Sequence, residues 1–99
     1  MKKVLNRRTF LAHGAKFTEA LTLLIEASKG SPYKYRILSS HFGAFDTIVL
    51  EVEFDSVSQM EEVWAAIEAG PTMGDFLRQW HEAIVPGGTN EVWWIEAEG

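Results

Sequence analysis

The segment Thr47 to Phe54 constrains this chain more than any other, because its side chains alternate strictly. Ile48, Leu50, Val52 and Phe54 fall on one side, with Thr47, Val49, Glu51 and Glu53 on the other. A period of two is the mark of a strand with one dry face. A strand of this kind needs partners on both edges and a layer over its apolar face, so the rest of the chain has to supply a sheet and a cover. With 99 residues there is length for one domain, read here as 1–99, and for one core.

The remaining elements can be read from changes of period and from breakers. Val4 to Ala12 is extended in character and ends at His13-Gly14. Helical spacing follows, with Phe17, Ala20, Leu21, Leu24 and Ala27 on one face and Gly30 placed to close the helix. Tyr33 to Ser40 reads as a second strand, and residues 41 to 46 as a loop. Ser56 with Gln59 three residues on predicts a reciprocal cap, opening a helix whose apolar face is Met60, Val63, Trp64 and Ile67. Gly70-Pro71 breaks it. A further helix from about Thr72 carries Met73, Phe76, Leu77, Trp80 and Ile84, and Pro86-Gly87-Gly88 is expected to stop it. Glu91 to Glu96 forms the last strand. The order βαββααβ predicts an α+β, ferredoxin-like fold: a four-stranded antiparallel sheet with helices on one face.

Composition and charge exclude several classes of function. Hydrophobic content of 46% with 23% charged residues is that of a globular chain, and no apolar run approaches the roughly 18 residues of a membrane span. The absence of cysteine removes disulfides, thiolate nucleophiles and thiolate metal sites. The net charge of −5 is split unevenly: eight of the nine Lys/Arg and three of the fourteen acids lie in residues 1–50, leaving +5 there and −10 in residues 51–99. Halves of opposite sign are expected to pair with each other rather than to present a nucleic-acid surface. Asn6-Arg7-Arg8-Thr9-Phe10-Leu11-Ala12 has the look of a twin-arginine leader, but His13, Lys16, Glu19 and Glu26 interrupt the apolar stretch such a leader requires. The cytoplasm is therefore the expected compartment.

Helices on one face leave the other face of the sheet uncovered. The last strand is apolar on both sides, with Val92 and Trp94 on one and Trp93 and Ile95 on the other. Val49 adds to the uncovered side, together with Leu5 and Leu11 or with Val4 and Phe10, according to the parity of the first strand. A patch of this size calls for a cover, and a second copy of the chain is the expected one, giving a homodimer.

Two stretches carry a resemblance. Phe42-Gly43-Ala44-Phe45-Asp46-Thr47 leads into the third strand and Pro86-Gly87-Gly88-Thr89-Asn90-Glu91-Val92-Trp93 into the fourth. With the order of elements, these resemble small NIPSNAP-like proteins of the dimeric α/β barrel group, from about Val4 to Glu96. The resemblance implies a ferredoxin-like subunit, two sheets closing into a barrel across a twofold axis, and a ligand cleft between sheet and helices. That scaffold hosts cofactor-independent oxygenases, haem-degrading enzymes, isomerases, dehydratases and members without known activity, so function has to come from residues.

His81 is the candidate catalytic residue. It lies at the margin of the buried stripe of the last helix, where an imidazole serves as a proton donor, a base or an iron ligand, or else is merely a boundary residue satisfied by backbone or water. Asn6, His41, Trp64, Phe76, Trp80 and His81 are the candidate ligand-binding set. His41 stands where a strand gives way to a loop that overhangs such clefts, and His13 reads as a solvated turn residue. The three histidines show no metal-ligand spacing, so no metal site is expected. Haem-degrading members of the resembling scaffold use an Asn on the first strand, a Trp on a helix and a His on a helix. Asn6, Trp64 and His81 occur in that order, with Gly70-Pro71 intervening. No cofactor is assigned, and haem is the one that this pattern raises. Glu51 and Glu53, sharing a face near Arg7 or Arg8, read as sheet ion pairs rather than a catalytic pair. The expected function is binding of a small apolar or aromatic molecule, with cofactor-free or haem-dependent oxygenation and a non-catalytic assembly role as alternatives.

Overall fold

The computed structural model describes residues 2–40 and 45–99. Four antiparallel strands form one sheet in the order β2-β3-β1-β4: β1 (Val4–Ala12), β2 (Tyr35–Ser39), β3 (Thr47–Phe54) and β4 (Ile84–Trp94). Three helices, α1 (Phe17–Ser28), α2 (Val57–Glu68) and α3 (Met73–Ala83), complete the expected α+β, ferredoxin-like arrangement. No helix among the described residues is long and apolar enough to cross a membrane.

The alternation in β3 is realised as read. Ile48, Leu50, Val52 and Phe54 are buried with Val4, Ala12, Ala20, Leu24, Trp80 and Ala83 in the core. Pairing fixes the parity of β1, because residues directly opposite in an antiparallel ladder project to the same side. Val4, Asn6, Arg8 and Phe10 lie opposite Phe54, Val52, Leu50 and Ile48, so the even-numbered side chains of β1 face the helices. Leu5, Arg7, Thr9 and Leu11 therefore share the opposite face with Val49, Glu51 and Glu53. Of the two sets that the sequence left open, Leu5 and Leu11 occupy the uncovered side.

Two details of the helices follow from capping chemistry. Gly30, at φ 82°, follows the end of α1 in the left-handed conformation that favours glycine. At α2 the Ser56 hydroxyl accepts from the Gln59 N–H at 3.0 Å. The Gln59 side chain reaches one residue further back than a reciprocal cap requires, its Oε1 accepting from the Asp55 N–H at 2.7 Å.

The last third of the chain departs from expectation. Pro86-Gly87-Gly88 does not terminate a helix: α3 ends at Ala83, Ile84 is already extended, and β4 begins there rather than at Glu91. The triplet is accommodated by a bulge. Val85 pairs with Leu11 and Thr89 with Thr9, so four residues of β4 advance against two of β1. Proline is tolerated at such a point because the ladder is already interrupted. Gly87 sits at φ 118°, and a Cβ on Gly88 would lie 2.4 Å from the Thr9 carbonyl oxygen. Backbone meets backbone here, with no flexible neighbour to give way. Gly88→Ala is expected to cost about 1–3 kcal/mol, the usual penalty for overpacking. Urea denaturation would measure it, and a loss within experimental error would show that the bulge does not require the bare backbone.

Candidate functional site

Between the sheet and the three helices lies a cavity of about 710 Å³. The sheet contributes Phe10, Leu50, Val52 and Phe54 to its wall, α2 contributes Val63, Trp64 and Ile67, and α3 contributes Met73, Phe76, Leu77 and Trp80. The aromatic rings are packed on one another. Phe10 meets Trp80 edge-on with centroids 4.9 Å apart, Phe76 stacks on Trp80 at 5.6 Å, and Tyr33 tilts against Phe54 at 5.4 Å. Such contacts hold ring positions beyond what area burial alone would do. The charged residues among the described lining are Arg8 and Glu68.

Asn6 lies under one end of this cavity and is 1% exposed. Its Nδ2 donates to Asn90 Oδ1 at 2.6 Å and to the Glu91 carbonyl at 2.9 Å. Its Oδ1 accepts from Trp64 Nε1 at 2.8 Å and from Arg8 Nε at 3.3 Å. An amide has two donor hydrogens and two acceptor lone pairs, so these four bonds use its full capacity. Asn6 thus ties β1 to β4 and to α2. The Arg8 guanidinium carbon lies 3.8 Å from the centre of a Trp64 ring, a cation–π contact that the shared Asn6 oxygen orients. Burial pushes the Arg8 pKa down from its ordinary value, and the charge of Glu68 partly opposes that shift.

On the far side of the sheet, Glu51 is 2% exposed and accepts from Arg7 Nε at 2.7 Å and from Arg36 Nε at 2.5 Å. Burial opposes ionisation of this carboxyl, but the hydrogen bonds and charges of Arg36 and Arg7 outweigh it and hold its pKa below the ordinary value. Glu53 lies 3.5 Å from Lys3 and 3.6 Å from Lys34. The two glutamates are sheet ion pairs and lie away from the cavity.

The structure distributes the sequence-derived candidates unevenly. Trp64, Phe76 and Trp80 line the cavity. Asn6 meets Trp64, but it holds that residue in place and is not among the lining side chains. His81 is exposed and outside the lining. It follows the buried Trp80, and one step along a helix turns the side chain by about 100°. His41 lies outside the described residues. The His-ligated haem suggested by the order Asn, Trp, His does not fit, since no histidine is among the described lining residues and His81 is exposed outside the lining. No group of three His, Asp or Glu capable of holding a metal occurs among the described residues.

Arg8, Glu68, Tyr33, Tyr35 and Asn90 were missed from sequence. The signal for Arg8 was present, since it stands two residues from Asn6 on the same side of β1, but only the pairing with β3 shows that this side faces the helices.

The fold is that of the ferredoxin-like α+β class. Among solved structures it is NIPSNAP-like: it superposes on an uncharacterised NIPSNAP domain protein from Burkholderia xenovorans with TM-score 0.80 at 15% identity, covering 95% of this chain and 94% of that chain. A NIPSNAP family protein from Agrobacterium tumefaciens gives TM-score 0.81 at 14% identity over 94% of this chain and 85% of that one. A putative antibiotic biosynthesis monooxygenase from Chloroflexus aurantiacus gives 0.68 at 14% over 98% and 97%. No protein-family model and no curated protein matches the sequence. At these identities the likeness is one of fold.

Asn6→Ala removes the shared partner of Trp64, Arg8, Asn90 and the Glu91 carbonyl. A stability loss of about 1–3 kcal/mol is expected, the scale for a buried polar group left unpaired. Urea denaturation monitored by tryptophan emission would measure it, and a neutral result would mean that the network does not hold α2 to the sheet.

Proposed function

We propose that the protein binds a small, largely apolar or aromatic molecule in the cleft between its sheet and its helices. The observation that carries this reading is the cavity itself. About 710 Å³ of space remains among aromatic and aliphatic side chains that would otherwise pack together, and this lies within the range of ligand pockets, roughly 300–1,000 Å³. Oxygenation of the bound molecule, as the name of the Chloroflexus protein suggests, would also need a group to accept the substrate's proton. Glu68, Tyr33 and Tyr35 are the ionisable candidates in the described lining besides Arg8, with no imidazole among them, so binding is the better supported role. N-phenyl-1-naphthylamine, a neutral fluorescent probe, is expected to bind saturably at one molecule per chain. Ala27, itself exposed, lines the cavity from the same face of α1 as Leu24, and Ala27→Trp should weaken binding by about tenfold or more by occupying the space, about 1.4 kcal/mol. Equal binding to the filled variant would sink this reading.

The protein works in this reading as a homodimer, and a cytoplasmic one. The uncovered face of the sheet carries partly exposed Leu5, Leu11 and Val49, with Leu38 at 42% and Trp93 at 51% exposure. Twofold symmetry makes such a patch complementary to itself. The cytoplasmic assignment is supported by the twin arginines being engaged in the fold, Arg7 by Glu51 and Arg8 by Trp64. Sedimentation velocity at micromolar concentration should give a dimer, and Trp93→Glu a monomer with an unchanged far-ultraviolet spectrum. A monomeric parent protein would refute the dimer.

A further inference from the structure

We propose that the cavity selects amphipathic anions, molecules with a small aromatic or aliphatic body ending in an oxyanion such as a carboxylate, and that Arg8 anchors the anionic end. This rests on the cleft being a binding site and specifies what it accepts.

The basis is a census of charge. The chain has nine Lys and Arg residues, all of them described. Lys2, Lys3, Arg7, Lys16, Lys29, Lys34, Arg36 and Arg78 each have a carboxylate oxygen within 4.0 Å. Among the described residues Arg8 has none, although it is half-buried and is the one cation in the described lining of the cavity. Protein interiors ordinarily pair a cation withdrawn from water. Even the exposed lysines of this chain are paired, so the odd one out is the charge for which pairing would matter most.

The local geometry prepares Arg8 for an incoming partner. One face of the guanidinium is against Trp64, and Nε is spent on Asn6 Oδ1, which fixes the plane. No further hydrogen bond is made by the Arg8 side chain among the described residues. Its two Nη groups are left as a preset fork, the geometry that matches a planar oxyanion by two parallel hydrogen bonds. The desolvation that lowers the Arg8 pKa is the penalty that a bound anion would offset. Glu68, at the same cavity, attracts Arg8 from beyond ion-pair distance and so competes with an incoming anion for it. The apolar remainder of the lining takes the body of the molecule.

Two probes on one skeleton test this: neutral N-phenyl-1-naphthylamine and its sulfonated anionic relative 8-anilinonaphthalene-1-sulfonate. The readout is the ratio of their dissociation constants. The parent protein should prefer the anion by about tenfold, the scale of a charge-assisted hydrogen bond. The ratio should fall toward one in Arg8→Gln, recover in part in Arg8→Lys, and rise in Glu68→Gln. Should Arg8→Gln fail to fold, the parent protein still decides: the preference should shrink as salt is raised from about 20 mM to about 500 mM, since screening weakens only the charged contact. Ala27→Trp must weaken both probes, which separates the cavity from the open sheet face. Saturable binding of the neutral probe without preference for the anion, or a preference untouched by Arg8→Gln or by salt, overturns the anionic selectivity and leaves the cleft standing. Failure of both probes to bind the parent protein overturns the two together.

Discussion

The parity of β1 governs the rest of the molecule. This strand is hydrogen-bonded on both edges, to β3 and to β4, and its side chains alternate between a face covered by helices and a face that is not. A slip of one residue would move Arg8 out of the cavity and Arg7 into it, and would turn Val4 and Phe10 away from the core. The register is held by polar contacts on both sides. On the open face, Glu51 needs Arg7 and Arg36 to compensate for its burial. On the helical face, Asn6 needs Asn90, Trp64 and Arg8. Any other register leaves a buried carboxylate or amide without partners, at a cost of several kcal/mol in the first case.

These two polar clusters also divide the labour of the sheet. Glu51 clamps three strands, β2 through Arg36, β1 through Arg7 and its own β3. Asn6 links β1 and β4 to α2. The cavity can remain open beside them because the walls do not depend on filling it. Trp64 is fixed by a directional bond to Asn6 and by the overlying Arg8, and Trp80 by its two ring contacts with Phe10 and Phe76. Preformed walls of this kind reduce the ordering cost when a ligand enters.

Much of the fold could be read in the sequence, and the reasons for the rest are specific. β3, α1, the Ser56 cap and the apolar stripes of α2 and α3 are local patterns, set by residues a few positions apart. The sequence predicts too short a β4 because Pro86-Gly87-Gly88 signals a break at the local level, and only the neighbouring strand reveals that a bulge absorbs it. The site was legible where bulky aromatics coincide with helical spacing, as for Trp64, Phe76 and Trp80. It was not legible where a role depends on which way a strand faces. Arg7 and Arg8 are chemically alike, and the sheet sends one to a carboxylate and the other to the cavity. His81 stands between Trp80 and Ile84 in sequence, but the helix ends before Ile84, so the apolar stripe it borders stops short.

The two outermost strands of the sheet are guarded differently. β2 carries the cation Arg36, and Lys34 stands just before it. β4 presents Val92, Trp93 and Trp94 in succession, with Trp94 60% exposed. Charged borders discourage stray pairing, whereas bare greasy ones template it. A mate related by a twofold axis would seal such a border and stop there. A mate added head to tail would leave an identical border free, and growth would continue into fibres. The bulge next to Gly88 interrupts and twists the first half of β4, leaving its final segment, Thr89 to Trp94, regular enough to recruit a neighbour.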